Sequence, residues 1–99
     1  MNKNMMRQAQ RLQAQLQKIQ EELETLTVEG SAGGGVVKVV MTGKQVVQQV
    51  TIAPEAAEEL ELLQDLVLAA VNDAFAKTQE LAAKKMAVVT GGMNIPGLG

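Results

Sequence analysis

Two valine-rich runs, residues 36–42 and 45–52, stand only two residues apart, joined by Gly43-Lys44. β-branched residues in runs of this length across so short a joint predict a β-hairpin. Gly43 is expected to supply the positive φ that such a turn requires. A third run, 27–32, reaches the first through Gly33-Gly34-Gly35. The middle of the chain is therefore expected to be a three-stranded antiparallel meander, residues 27–52. Val28, Ala32, Val37, Val39, Met41, Val46, Val50 and Ile52 would share its core face. The other face carries Glu29, Lys38, Thr42, Gln49 and Thr51, but also Val36, Val40 and Val47. A second face that is half apolar calls for a covering layer or for a strand edge paired with its own copy.

A helical pattern lies on each side of the meander. Before it, Met5, Ala9, Leu12, Leu16, Ile19, Leu23 and Leu26 fall at spacings of 4, 3, 4, 3, 4 and 3. That is an unbroken a/d heptad, so residues 2–26 are expected to form one helix roughly 35 Å long. After it, Pro54 suits a first helical position. A broad apolar face then runs through Leu63, Leu66, Val67, Ala70, Val71, Ala74, Phe75, Thr78, Leu81, Ala82 and Met86. Residues 54–90 are expected to be helical, with room for a short separate turn near 57–60. Thr90-Gly91-Gly92 ends the pattern, and residues 91–99 are expected to be a flexible tail. The fold class is α+β in a single domain, 1–99: long helix, meander, long helix, the second helix with an optional short one before it.

With 46% hydrophobic residues but only Phe75 aromatic, apolar burial must come from Leu, Val, Ile and Met. A 99-residue chain with two long arms covers little of that area alone. Self-association is expected.

There is no Cys and no His. Disulfides, thiol nucleophiles, imidazole bases and the usual zinc ligand sets are excluded together. The cluster Glu55, Glu58, Glu59, Glu61 and Asp65 sits at a helix start, where the dipole favours acids, and has no other ligand type near it. Gly30–Gly35 lacks the Gly-Lys-Ser/Thr ending of a phosphate loop and precedes a strand rather than a helix. No cofactor, metal or small-molecule substrate is expected, and no enzymatic activity. No apolar run approaches the ~20 residues of a membrane span, and the opening MNKNMMRQAQ is too polar for a secretory signal. A cytoplasmic protein without membrane partners is expected.

Net charge is −2, but it is unevenly placed. Lys3, Arg7, Arg11 and Lys18 are the only charges in residues 1–20, and Glu21, Glu22 and Glu24 follow them. The helix macrodipole prefers the reverse order. Spaced 4, 4 and 7, the four cations lie along one side of the helix, away from the centre of the seam, among several Gln side chains. Taken alone, the stripe reads more simply as a solvated coiled-coil face whose stems cover the seam. Its opposition to the dipole keeps open a second reading, a row of phosphate contacts. Lys77, Lys84 and Lys85 give the second arm a basic far end, where the dipole suits them.

The order of these elements is itself informative. A Gln-rich basic helix, then VEGSAGGGVVKVVMTGKQVVQQVTI, then LLQDLVLAAVNDAFAKTQE, then GGMNIPGLG closely resembles the YbaB/EbfC family of bacterial nucleoid-associated proteins over essentially the whole chain. The resemblance implies an α+β homodimer with helical arms projecting from a dimer body, and a nucleoid protein that binds duplex DNA without catalysis. It implies DNA contacts on the first and last helices, here Lys3, Arg7, Arg11, Lys18, Lys84 and Lys85. The competing reading is a protein-interaction module in which the first-helix seam grips a partner helix.

Overall fold

The computed structural model describes residues 2–90. Its elements are α1 (Lys3–Thr25), β1 (Thr27–Ala32), β2 (Val37–Thr42), β3 (Val47–Ile52), a 3-10 turn (Pro54–Ala57) and α2 (Leu60–Thr90). The three strands form one antiparallel sheet in the order β1-β2-β3. The optional short helix is the single 3-10 turn that Pro54 opens. The radius of gyration is 18.8 Å, against ~13 Å for a compact chain of this length. The excess comes from α1, whose first half stands clear of the rest.

α1 begins at Asn2, whose side chain accepts a hydrogen bond from the Met5 amide at 2.8 Å. It ends where Leu26 turns extended. The Leu26 carbonyl then accepts from the Gly43 amide at 2.9 Å, which ties the helix end to the β2–β3 hairpin. Ile19 and Leu23 are its buried residues.

α2 lies across β1 and β2 and makes little contact with β3. Val37, Val39 and Met41 of β2 meet Ala70 and Ala74 of α2 in the core, which Leu63, Leu66, Val67 and Val71 flank. Small residues are needed here because backbone meets backbone. A Cβ at Gly30 would collide with the Ala74 amide nitrogen and the Ala70 carbonyl oxygen. Phe75, expected on the core face, instead stays 42% exposed on the flank of α2.

The meander is present, but its second turn differs from the expectation. It spans residues 43–46, and Gln45 rather than Gly43 takes the left-handed conformation, φ 66°. Thr42 Oγ1 accepts from the amides of Lys44 and Val46, both at 3.2 Å, and holds the loop. Gln45 Nε2 donates to Thr78 Oγ1 at 3.3 Å, which pins the turn to α2. Gly43 is required for a different reason: a Cβ there would lie 2.7 Å from the Leu23 carbonyl oxygen of α1. The glycines with positive φ stand instead in the first turn, at Gly33, Gly34 and Gly35.

The register places Val28, Ala32, Val37, Val39, Met41, Val50 and Ile52 on one face, as expected. Val46 is not among them, because it belongs to the turn. A bulge lets Met41 pair with Val47 while Val40 pairs with Gln49. The extra residue, Gln48, switches Val47 to the face of Met41, opposite to its expected side. Val36 also departs from its expected side and packs against the core.

The two sheet edges are treated differently. On β1, the Ser31 amide donates to Asp73 Oδ2 at 2.9 Å and the Glu29 carbonyl accepts from Lys77 Nζ at 2.9 Å. Asp73 and Lys77 themselves pair at 3.2 Å. This side-chain pair from α2 occupies the groups a further strand would need. On β3, no described residue pairs with the outer edge.

Three substitutions test this packing. Gly30→Ala should cost at least ~2 kcal/mol in chemical denaturation, because the α2 backbone must move. Gly34→Ala, where only φ is strained and no atom lies within 4 Å, should cost ~1 kcal/mol. The Asp73 carboxyl is held below its usual 3.8, chiefly by the Ser31 amide and then by Lys77. Its stabilising contribution is therefore present above pH 3.8 and lost as pH falls through the lower folded value. Asp73→Asn should lower the melting temperature at neutral pH, and the gap from wild type should narrow once pH drops below 3.8. A gap independent of pH would contradict this.

Candidate nucleic-acid interface

A helix repeats every 3.6 residues, which puts Lys3, Arg7, Arg11 and Lys18 within about 80° of arc on α1. The centre of this arc is about 150° from that of the apolar seam. All four are exposed. Lys3, Arg7 and Arg11 therefore look into solvent along the free reach of the arm, while Lys18 stands at the edge of the cleft between α1 and α2. Its only acidic neighbours on α1 come at the sheet end, Glu21, Glu22 and Glu24.

Near the sheet, α1 and α2 run antiparallel and leave a cleft of about 270 Å³ between them. Gln15, Lys18, Ile19, Glu22, Lys85, Val88 and Val89 line it. The structure thus brings Lys18 of the first arm and Lys85 of the second to one place. Lys85 Nζ pairs with Glu22 Oε2 at 3.0 Å. Among the described residues it is the only one of the six candidate cations in an ion pair. Lys84 is exposed beside it, while Lys3, Arg7 and Arg11 stand far along α1, remote from both. Lys77, also basic, is taken up in capping β1.

The first turn of α1 holds no acid and its last turn holds no base. The amide end of the helix and the cations add their positive potentials instead of cancelling them. Such an arm costs some helix stability and attracts polyanions.

A second surface escaped the sequence reading. Val47, Val50 and Ile52 of β3 point to the same side as the core residues but lie beyond the cover of α2. Val50 is 45% exposed. On α2, Leu68 and Phe75 occupy the flank opposite Asp73 and Lys77, on the side of the Gln45–Thr78 contact and so toward β3. Leu68 is 62% exposed. An uncovered apolar strand edge and an apolar helix flank adjoin here. The spacing of seven between Leu68 and Phe75 was the available signal, hidden by the assignment of Phe75 to the core.

Among the described residues, no group of three or more His, Cys, Asp or Glu side chains could hold a metal. No described helix is long and apolar enough to cross a membrane.

Exposed cations on a projecting arm characterise this small α+β protein. Residues 1–93 match the YbaB/EbfC DNA-binding family, and the chain belongs to that family, which is a DNA-binding family rather than an enzyme family. It is 56% identical to a nucleoid-associated protein of Desulforamulus reducens over 100 residues, covering 99% of this chain and 94% of that one. It is 50% identical to a nucleoid-associated protein of Caldanaerobacter subterraneus subsp. tengcongensis over 97 residues, covering 96% and 87%. The crystal structure of an uncharacterized protein from Helicobacter pylori has the same fold, with a TM-score of 0.72 at 20% identity, over 89% of this chain and 95% of that one.

The electrostatics predict opposed effects at one position. Lys3→Glu places an acid in the first turn and should stabilise α1 by ~0.3–1 kcal/mol. The same change should weaken binding to duplex DNA. Helicity by circular dichroism and binding by anisotropy read the two signs separately.

Proposed function

We propose that this chain is a homodimeric, non-enzymatic nucleoid-associated protein that binds duplex DNA with weak sequence specificity. The observation that carries the proposal is the exposed stripe Lys3, Arg7, Arg11 and Lys18, set on the acid-free half of a projecting helix whose dipole reinforces its charge. Lys84 and Lys85 add cations at the cleft, Lys85 exchanging Glu22 for phosphate. Phosphate contacts position a protein without reading sequence. The exposed stripe offers many phosphate donors and few base-reading groups, which is why weak specificity is proposed. The names of the relatives support a place in the nucleoid, hence the cytoplasm.

Dimerisation draws support from the surface formed by Val47, Val50, Ile52, Leu68 and Phe75 beside the unpaired β3 edge. β3 carries no charge and no Pro, the usual guards of an exposed edge. With β1 capped by Asp73 and Lys77, a second copy has one edge available. Pairing there doubles the cationic stripe. The whole chain, 1–99, then acts as one domain that combines a dimer body with two arms.

The alternative is a module that binds a partner protein through the α1 seam. Its support is the exposure of that seam at Met5 and Leu12.

Charge reversal separates the two. Arg7→Glu/Arg11→Glu should reduce affinity for duplex DNA by at least about a hundredfold at low salt, since each lost phosphate contact also becomes a repulsion. Sedimentation should still show the dimer. Undiminished DNA binding by this folded variant would overturn the site. Val50→Lys should yield a folded monomer with weakened DNA binding; an intact Val50→Lys dimer would remove β3 from the interface.

A further inference from the structure

The cationic row on α1 ends in an acid. Lys3, Arg7, Arg11, Gln15, Lys18 and Glu22 follow one another at spacings of 4, 4, 4, 3 and 4. At 3.6 residues per turn, Glu22 falls within about 40° of Lys18 and about 20° of Arg11 around the helix. A phosphate backbone that tracks the row thus reaches a carboxylate one turn past Lys18.

In the free protein this carboxylate is already engaged. Glu22 Oε2 holds Lys85 Nζ at 3.0 Å across the cleft between α1 and α2, and both side chains are about one-third exposed. Salt screens a half-sheltered pair less than a fully solvated one. Lys18 lines the same cleft and stands four residues before Glu22, the spacing of a helical ion pair. Among the described residues it nevertheless forms no ion pair. The cleft therefore gathers one cation from each arm and a single acid, and the acid is committed to the cation on α2. Lys84 stands exposed next to that cation.

A phosphate and Glu22 compete for Lys85. An ammonium has three N–H donors, so geometry alone would let it touch both. Charge opposes this, because a phosphate at Lys85 comes within about 5 Å of the carboxylate, and like charges that close repel.

We propose that Glu22 is an internal competitor for DNA phosphate. Its pair with Lys85 braces the two helices in the free protein. Duplex binding displaces Lys85 from Glu22 before the second arm can contribute to the interface. This role rests on the DNA reading above and makes Glu22 the residue that limits its affinity. Without the carboxylate, Lys18, Lys84 and Lys85 form one uninterrupted cationic group at the cleft.

Anisotropy of a labelled duplex with the full chain tests this at physiological salt and across a salt series. Glu22→Gln should bind at least about fivefold tighter than wild type, with a steeper fall of log K against log salt. Glu22→Ala, which places a better helix former at the same position, should give the same gain. Glu21→Gln makes an equal charge change one residue away, at a side chain in no ion pair with a described residue. It should gain less than about twofold. In a Lys85→Gln chain, adding Glu22→Gln should gain no more than Glu21→Gln does, because the two residues act as a pair. Unchanged or weaker binding by Glu22→Gln, an equal gain from Glu21→Gln, or a gain that persists without Lys85 would each overturn the role of Glu22 and leave the DNA reading standing. Failure of the wild-type chain to bind at low salt would instead remove the DNA reading, and this role with it.

Discussion

The contact between Gly30 of β1 and the backbone of α2 at Ala70 and Ala74 sets the geometry of the whole molecule. A helix can approach a strand this closely only where both surfaces lack side chains. Once α2 is seated there, its direction is fixed by the valines of β2, and two consequences follow. Its cover ends before β3, which leaves an apolar strand edge open. Its C-terminal half overruns the sheet and meets α1, which turns two helices into one braced arm. The open strand edge, proposed as the dimer surface, and the arm are both outcomes of where this helix comes to rest.

Charge is distributed according to the same division. Close to the body, ionic groups serve structure: Asp73 and Lys77 cap β1, and Lys85 joins Glu22 across the two helices. Far from the body, Lys3, Arg7 and Arg11 form no ion pair with any described residue. They stand at the helix end where the dipole opposes them. Placing them there costs stability, which supports the proposed use of this surface for binding a polyanion.

Much of this was legible in the residues. The strict 4-3 spacing on α1 and the close valine runs gave the helix and the hairpin, because periodicity and turn length act locally. What stayed hidden was decided by neighbours distant in sequence. Gly43 looked like a turn glycine, yet it is small because Leu23 passes over it, and Gln45 takes the strained φ. The bulge at Gln48 leaves no compositional mark, so simple alternation puts Val47 on the face opposite to the one it takes. Asp73 and Lys77 look like an ordinary i,i+4 pair; only the fold shows that they close an edge. Phe75 looked like core because it follows the helical period, but α2 is rolled so that alanines face the sheet. Of the candidate site, the direction of the four α1 cations could be read from their spacing. The meeting of Lys18 with Lys85 could not, since it depends on the antiparallel approach of the arms.

The central claim is that the arms bind DNA through phosphate and not through base sequence. The measurement that tests it most directly is fluorescence anisotropy of the full chain on two unrelated duplexes across a salt series. If about six cations meet phosphates, log K should fall against log salt with a slope near −5, and the two duplexes should behave alike. No binding even at low salt would contradict the account, as would strong binding to one duplex that changes little with salt.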